Sequence, residues 1–152
     1  MLDIKKLIAK ILESLCTGWF YANSVTATTI STINTYTKLP ITSIYAGVGF
    51  EYDSTNKGIK CMKTGKYMVS VEMSFDTATA GDLMGIAIYR NGVVSISPTY
   101  HRVGGNYDRL HLLPTYVDWQ AGDVLTLYVR NNSSARGKSA TSCKFSAWQV
   151  GG

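Results

Sequence analysis

Residues 67–75 read Tyr-Met-Val-Ser-Val-Glu-Met-Ser-Phe, and no other run narrows the fold as much. Side chains alternate across an extended chain, so Tyr67, Val69, Val71, Met73 and Phe75 share one side and Ser70, Glu72 and Ser74 the other. A period of two sustained this long argues against an amphipathic helix. It demands a sheet with one apolar face, and such a face needs a second layer to cover it. Leu125, Leu127 and Val129 alternate in the same way, as do Leu110 and Leu112. Thr, Ser, Val, Ile and Tyr dominate from Gly18 onward. Strands are expected over residues 19–22, 25–33, 43–50, 58–62, 67–75, 84–89, 93–96, 109–117, 124–130 and 143–150.

The punctuation between these runs fits short strands. Lys63-Thr64-Gly65-Lys66 joins two of them, and Gln120-Ala121-Gly122-Asp123 is a tight turn. Asn91-Gly92 suits a type I′ hairpin, whose two central residues both need positive φ. Residues 131–138 (NNSSARGK) read as a polar hairpin loop, and residues 98–108 as a longer connection with a double glycine. Many short strands at even spacing predict a β-sandwich or barrel. With 152 residues there is room for one such domain, and no internal repeat or second domain is visible.

The first residues break this pattern. Residues 2–15 (LDIKKLIAKILESL) place Ile4, Ile8, Ile11 and Leu15 at spacings of four, three and four, a coiled-coil seam, with most of the charge opposite. So short a helix is marginal alone and must pack on something. Isoleucine at both seam positions favours trimers or tetramers; a helix capping its own subunit is the alternative. The chain therefore divides into a trimerisation helix, 1–16, and a β domain, 17–152. Lys10 and Glu13 interrupt the apolar stretch too early for a signal peptide. No run approaches the roughly 20 apolar residues of a membrane span. The reading is a protein with no export signal and no membrane insertion.

Charged residues make up only 16% of the chain, against about 25% in a typical domain. Ten tyrosines and fourteen glycines suggest a surface made polar by hydroxyls and amides. The net charge of +5 is spread along the chain. It reads as solvated lysines and arginines rather than a nucleic-acid footprint, although attraction to anionic polymers is a second reading. Cys16, Cys61 and Cys143 fit no zinc or redox spacing and read as reduced thiols.

Four pieces occur in the order found in a known superfamily. Gly65-Lys66-Tyr67-Met68-Val69, Ile86-Ala87-Ile88-Tyr89-Arg90-Asn91-Gly92, Trp119-Gln120-Ala121-Gly122-Asp123-Val124-Leu125 and Lys144-Phe145-Ser146-Ala147-Trp148 resemble strand motifs of the tumour necrosis factor and complement globular-head superfamily. The last carries Ala147 and Trp148 where the family has Gly and Phe. The resemblance covers residue 45 to the C-terminus. It implies a jelly roll of about ten strands that assembles as a homotrimer and binds partners rather than catalysing. The chain shows no collagen stalk and no disulfide framework. A jelly-roll head behind a short helix resembles instead bacteriophage tail-fibre tips and receptor-binding proteins. That implies a virion protein assembled in a bacterial cytoplasm, with other virion proteins as partners.

No catalytic constellation stands out. His101 and His111 lie far from any metal-type spacing, and nucleophile elbows, phosphate loops and dinucleotide fingerprints are absent. No enzyme, metal or cofactor is expected. The best ligand candidate is the segment around residues 98–109, where Tyr100, His101, Arg102, Asn106, Tyr107, Asp108 and Arg109 flank the glycines. Aromatic faces stack on the apolar faces of sugars, and polar groups fix hydroxyls, so a cell-surface saccharide fits; long loops on rigid scaffolds often carry function. The expectation is a receptor-binding head. The alternative is a purely structural trimeric tail or capsid decoration with no ligand.

Overall fold

The computed structural model describes residues 4–6, 18–24, 28–76, 80–104, 109–133 and 138–151. Residues 4–6 are helical, and Ile4 is 66% exposed. Ile8, Ile11 and Leu15 lie outside the described residues. No described helix is long and apolar enough to cross a membrane.

The rest is a jelly-roll sandwich of two antiparallel sheets. Its strands are β1 (Trp19–Ser24), β2 (Thr28–Ile30), β3 (Tyr36–Leu39), β4 (Ser43–Val48), β5 (Phe50–Asp53), β6 (Gly58–Cys61), β7 (Gly65–Asp76), β8 (Leu83–Arg90), β9 (Val93–Arg102), β10 (Arg109–Trp119), β11 (Val124–Asn131) and β12 (Lys138–Gly151). Sheet A runs β10-β7-β12-β1-β4, with β2 beside β12. Sheet B runs β5-β6-β11-β8-β9, with β3 beside β11.

The period-two runs supply the filling. Tyr67, Val69, Val71, Met73 and Phe75 of β7 are fully buried, as are Leu125, Leu127 and Val129 of β11. Each such side chain contributes about 1.5–3 kcal/mol on burial. One end of the core is aromatic. Phe20 meets Phe50 and Phe145 edge-on at 4.7 and 4.8 Å, and Tyr67 stacks on Trp119 at 5.4 Å. The Tyr67 hydroxyl donates to the Lys63 carbonyl at 2.6 Å, which satisfies its one polar group. Buried Gln149 ties β12 to the start of β1. It accepts from the Gly18 N–H at 3.0 Å through Oε1, and its own N–H donates to the Gly18 carbonyl at 2.6 Å. Cys61 and Cys143 are buried free thiols.

Three expectations need correction. The run 43–50 is two strands, because Gly49 turns the chain at φ 75° between β4 and β5. The expected connection 98–108 is strand up to Arg102, since β9 keeps pairing with β8 as far as Leu83–Arg102. The strands flanking residues 131–138 do not pair as a hairpin: β11 belongs to sheet B and β12 to sheet A. The Asn91-Gly92 turn is as expected, with φ of 51° and 82°.

Candidate functional site

The ligand segment expected from the sequence is divided by the fold. Tyr100, His101 and Arg102 end β9 in sheet B, whereas Arg109 opens β10 in sheet A. Asn106, Tyr107 and Asp108 lie outside the described residues. Arg109 donates to the Glu72 carboxylate at 2.9 Å, and Lys144 lies 3.7 Å from the same carboxylate on the outer side of sheet A. Arg102 donates to the Gly81 carbonyl at 3.0 Å. His101, opposite Met84, is exposed. Of the candidates among the described residues, only Tyr100 joins a larger cluster.

That cluster covers the outer side of sheet B. Buried Leu125, Leu127 and Val129 face inward along β11, which turns Thr126, Tyr128 and Arg130 outward. One cross-strand row runs Tyr36–Arg130–Gly85–Tyr100, and the next places Lys38 beside Tyr128 and Ala87. A Cβ at Gly85 would sit 2.6 Å from the Tyr100 ring, so only glycine lets that ring lie flat there. Across the row the Tyr36 and Tyr100 hydroxyls meet at 3.2 Å. Tyr36 also packs edge-on against Tyr89 at 5.9 Å, and Tyr89 lies against Tyr128 with centroids 4.0 Å apart. The Arg130 guanidinium stands 5.3 Å over the Tyr36 ring and donates to Asn34 Oδ1 at 3.1 Å. Burial pushes the Tyr36 and Tyr89 hydroxyls above their ordinary pKa. A depression of about 350 Å³ continues from Tyr128, lined by Lys38, Asn56, Asn91, Gly92, Val124 and Thr126.

The outer side of sheet A has a different character. Val48, Trp19, Trp148, Met68 and Tyr116 are cross-strand neighbours, one from each of β4, β1, β12, β7 and β10. They form an apolar row from edge to edge. Trp19 and Trp148 are each 40% exposed and Tyr116 is 66% exposed. Tyr45 packs edge-on against Tyr21 at 6.1 Å and extends the aromatic surface. At the β10 end a depression of about 380 Å³ is lined by Lys66, Tyr116, Val117, Asp118 and Val150.

Sequence reasoning singled out Tyr100 but not Tyr36, Lys38, Tyr89, Tyr128 or Arg130. The alternation 124–130 held the signal: residues between the buried leucines had to face out. Among the described residues no group of three or more His, Cys, Asp or Glu side chains could hold a metal.

No family model matches the chain, and no curated protein matches it. Solved structures do. Murine APRIL at pH 5.0 superposes with a TM-score of 0.64 at 13% identity, covering 88% of this chain and 99% of that one. Eiger TNF from S. frugiperda gives 0.56 at 13% identity, covering 88% and 91%. The PRD1 vertex protein P5 gives 0.55 at 13% identity, covering 88% and 97%. The chain thus has a TNF-like jelly-roll fold.

Proposed function

We propose that the protein is a non-catalytic, homotrimeric binding head on a phage virion that attaches to a saccharide of the host surface. The observation that carries the trimer is the row Val48–Trp19–Trp148–Met68–Tyr116. An exposed apolar strip crossing a whole sheet costs hydration free energy until a partner covers it. Three copies meeting through sheet A around an axis would cover three such strips, and the depression beside Tyr116 has room for a neighbour's side chain. A three-stranded bundle of the seam Ile4, Ile8, Ile11 and Leu15 would sit on the same axis. The TNF-like fold agrees with such a head, and the likeness to a vertex protein supports the virion setting. Three weak ligand sites held together would act as one stronger one.

Solution mass by light scattering tests the assembly. The full chain should have the mass of three copies. Trp19→Ser with Trp148→Ser should dissociate it if sheet A forms the contact. Ile8→Asn with Ile11→Asn should dissociate it only if the helix is required. A monomeric full chain would overturn the reading. The vertex-protein likeness also favours a second reading, a structural virion trimer without ligand; failure to bind any glycan on a broad array would select it.

A further inference from the structure

The outer face of sheet B combines three features that a folding role alone does not require. First, it is aromatic: the Tyr89 and Tyr128 rings overlap face to face at 4.0 Å with a tilt of 32°, bordered by Tyr36 and Tyr100 and floored by Gly85 and Ala87. Second, the strands that carry these rings are positive, while Glu51 and Asp53 lie on β5 at the edge of the sheet. The strands β3, β8, β9 and β11 contain Lys38, Arg90, Arg102 and Arg130 and no Asp or Glu. Arg90 reaches Asp123 at 3.8 Å, but Lys38 makes no ion pair among the described residues. Third, the platform opens into the depression that Lys38, Thr126 and Tyr128 line. Asn56 and Asn91, on its rim, are held by their own turns, Asn56 through Asp53 at 2.8 Å and Asn91 through Asp123 at 2.8 Å.

We propose that this face binds a carboxylate-bearing saccharide, with a sugar ring laid against Tyr128 and the acid group in the depression on the Lys38 ammonium. The inference rests on the binding-head reading and replaces the 98–109 segment as the centre of the site, keeping Tyr100 at its border. Pyranose rings present an apolar face that fits an aromatic platform, and a carboxylate on an ammonium makes a charge-assisted hydrogen bond. The cations are singly placed between rings: Lys38 stands across from Tyr128 and Arg130 across from Tyr36. That spacing matches one acid per sugar unit, whereas a dense polyphosphate or sulfated chain calls for clustered cations. The face lies on the opposite side of the sandwich from the apolar row of sheet A, so assembly through sheet A leaves it open to solvent.

The test is calorimetric titration of the full chain with oligogalacturonate, a hyaluronan oligosaccharide and sialyllactose, each beside its neutral counterpart: the methyl ester, the carboxyl-reduced form and lactose. At least one acid probe should bind about tenfold or more tightly than its neutral counterpart, the scale of a hydrogen bond to a charged group. Lys38→Gln should weaken it by about the same factor. Tyr128→Ala should abolish binding, and Tyr128→Phe, which keeps the ring, should retain it. Lys6→Gln removes the same charge from the N-terminal segment and should leave affinity unchanged. Thermal unfolding of each variant confirms that it is folded. Equal binding of acid and neutral probes overturns the ligand class. Binding that survives both Lys38→Gln and Tyr128→Ala overturns the site while the binding-head reading stands. If no probe binds a protein that light scattering finds trimeric, the inference fails and the ligand-free structural trimer remains.

Discussion

Three buried acids make the core sensitive to alkali. Burial pushes the Cys143 thiol and the Tyr67 phenol well above their ordinary ranges. Burial raises the Cys61 thiol as well. In the unfolded chain a thiol ionises near pH 8.5 and a phenol near 10. Above those values the unfolded chain has lost protons that the folded chain keeps, so stability falls as pH rises; the contribution is complete below about pH 8. Urea unfolding should give a constant free energy up to about that point. Beyond it the free energy should decline, each group adding up to about 1.4 kcal/mol per pH unit. Cys143→Ala should remove one share of the decline that begins near pH 8.5, and an unchanged slope would refute its assignment. Tyr67→Phe separates charge from packing. At neutral pH it deletes only the hydroxyl donated to Lys63 and should cost about 1 kcal/mol. The loss above pH about 10 should shrink in the same variant.

The β8–β9 hairpin carries a second kind of prediction, about how a turn is anchored. Gly92 has φ 82° and nothing within 4 Å of where a Cβ would sit. Gly92→Ala therefore meets backbone strain and no clash, and should cost roughly 1–2 kcal/mol. Asn91 does more than tolerate its φ of 51°. Its Nδ2 donates to Asp123 Oδ1 at 2.8 Å, and its Oδ1 accepts from the Val124 N–H at 2.8 Å, pinning the hairpin to the turn before β11. Asp123 in turn accepts from the Gln120 N–H at 2.9 Å. Asn91→Ala and Asp123→Ala should each destabilise, and the double variant should lose less than their sum by about 0.5–3 kcal/mol. Strict additivity by thermal unfolding would show that the two turns are independent. This hairpin was legible in the sequence because its information is local: Asn-Gly sits between two alternating runs. The long buried strands were legible for the same reason. Strand β3 was not, since Tyr-Thr-Lys-Leu is half exposed and gains its identity from pairing with distant β11. The placement of β11 and β12 in different sheets was equally hidden, because a polar stretch between two strands reads the same whether or not they share a sheet. The candidate site was legible only at Tyr100. Its other members lie on β3, β8 and β11, and cross-strand register alone brings them together.

At the scale of the molecule, the two outer faces differ, and that difference has a thermodynamic consequence. The apolar row on sheet A takes one residue from each of five strands, so no window of sequence contains it; its place in the assembly follows only from register. If three copies meet there, unfolding is the reaction of one trimer to three chains, and mass action ties stability to concentration. The equilibrium then varies with the square of total concentration. A tenfold rise in protein should stabilise the trimer by about 2.8 kcal/mol, twice the value of one factor of ten. The melting temperature of the full chain should therefore climb across a concentration series. The Trp19→Ser, Trp148→Ser protein should show a lower midpoint that does not move with concentration, because both rings are exposed in the single chain and their loss should spare the fold. Raising salt tests what the rest of the face contributes. Glu72 with Arg109 and Lys144 forms an exposed ion network worth little in one chain. If the contact is mainly apolar, high salt should leave the concentration dependence intact. Loss of that dependence in salt would instead place the binding energy in the charges around Glu72 and not in the tryptophan row.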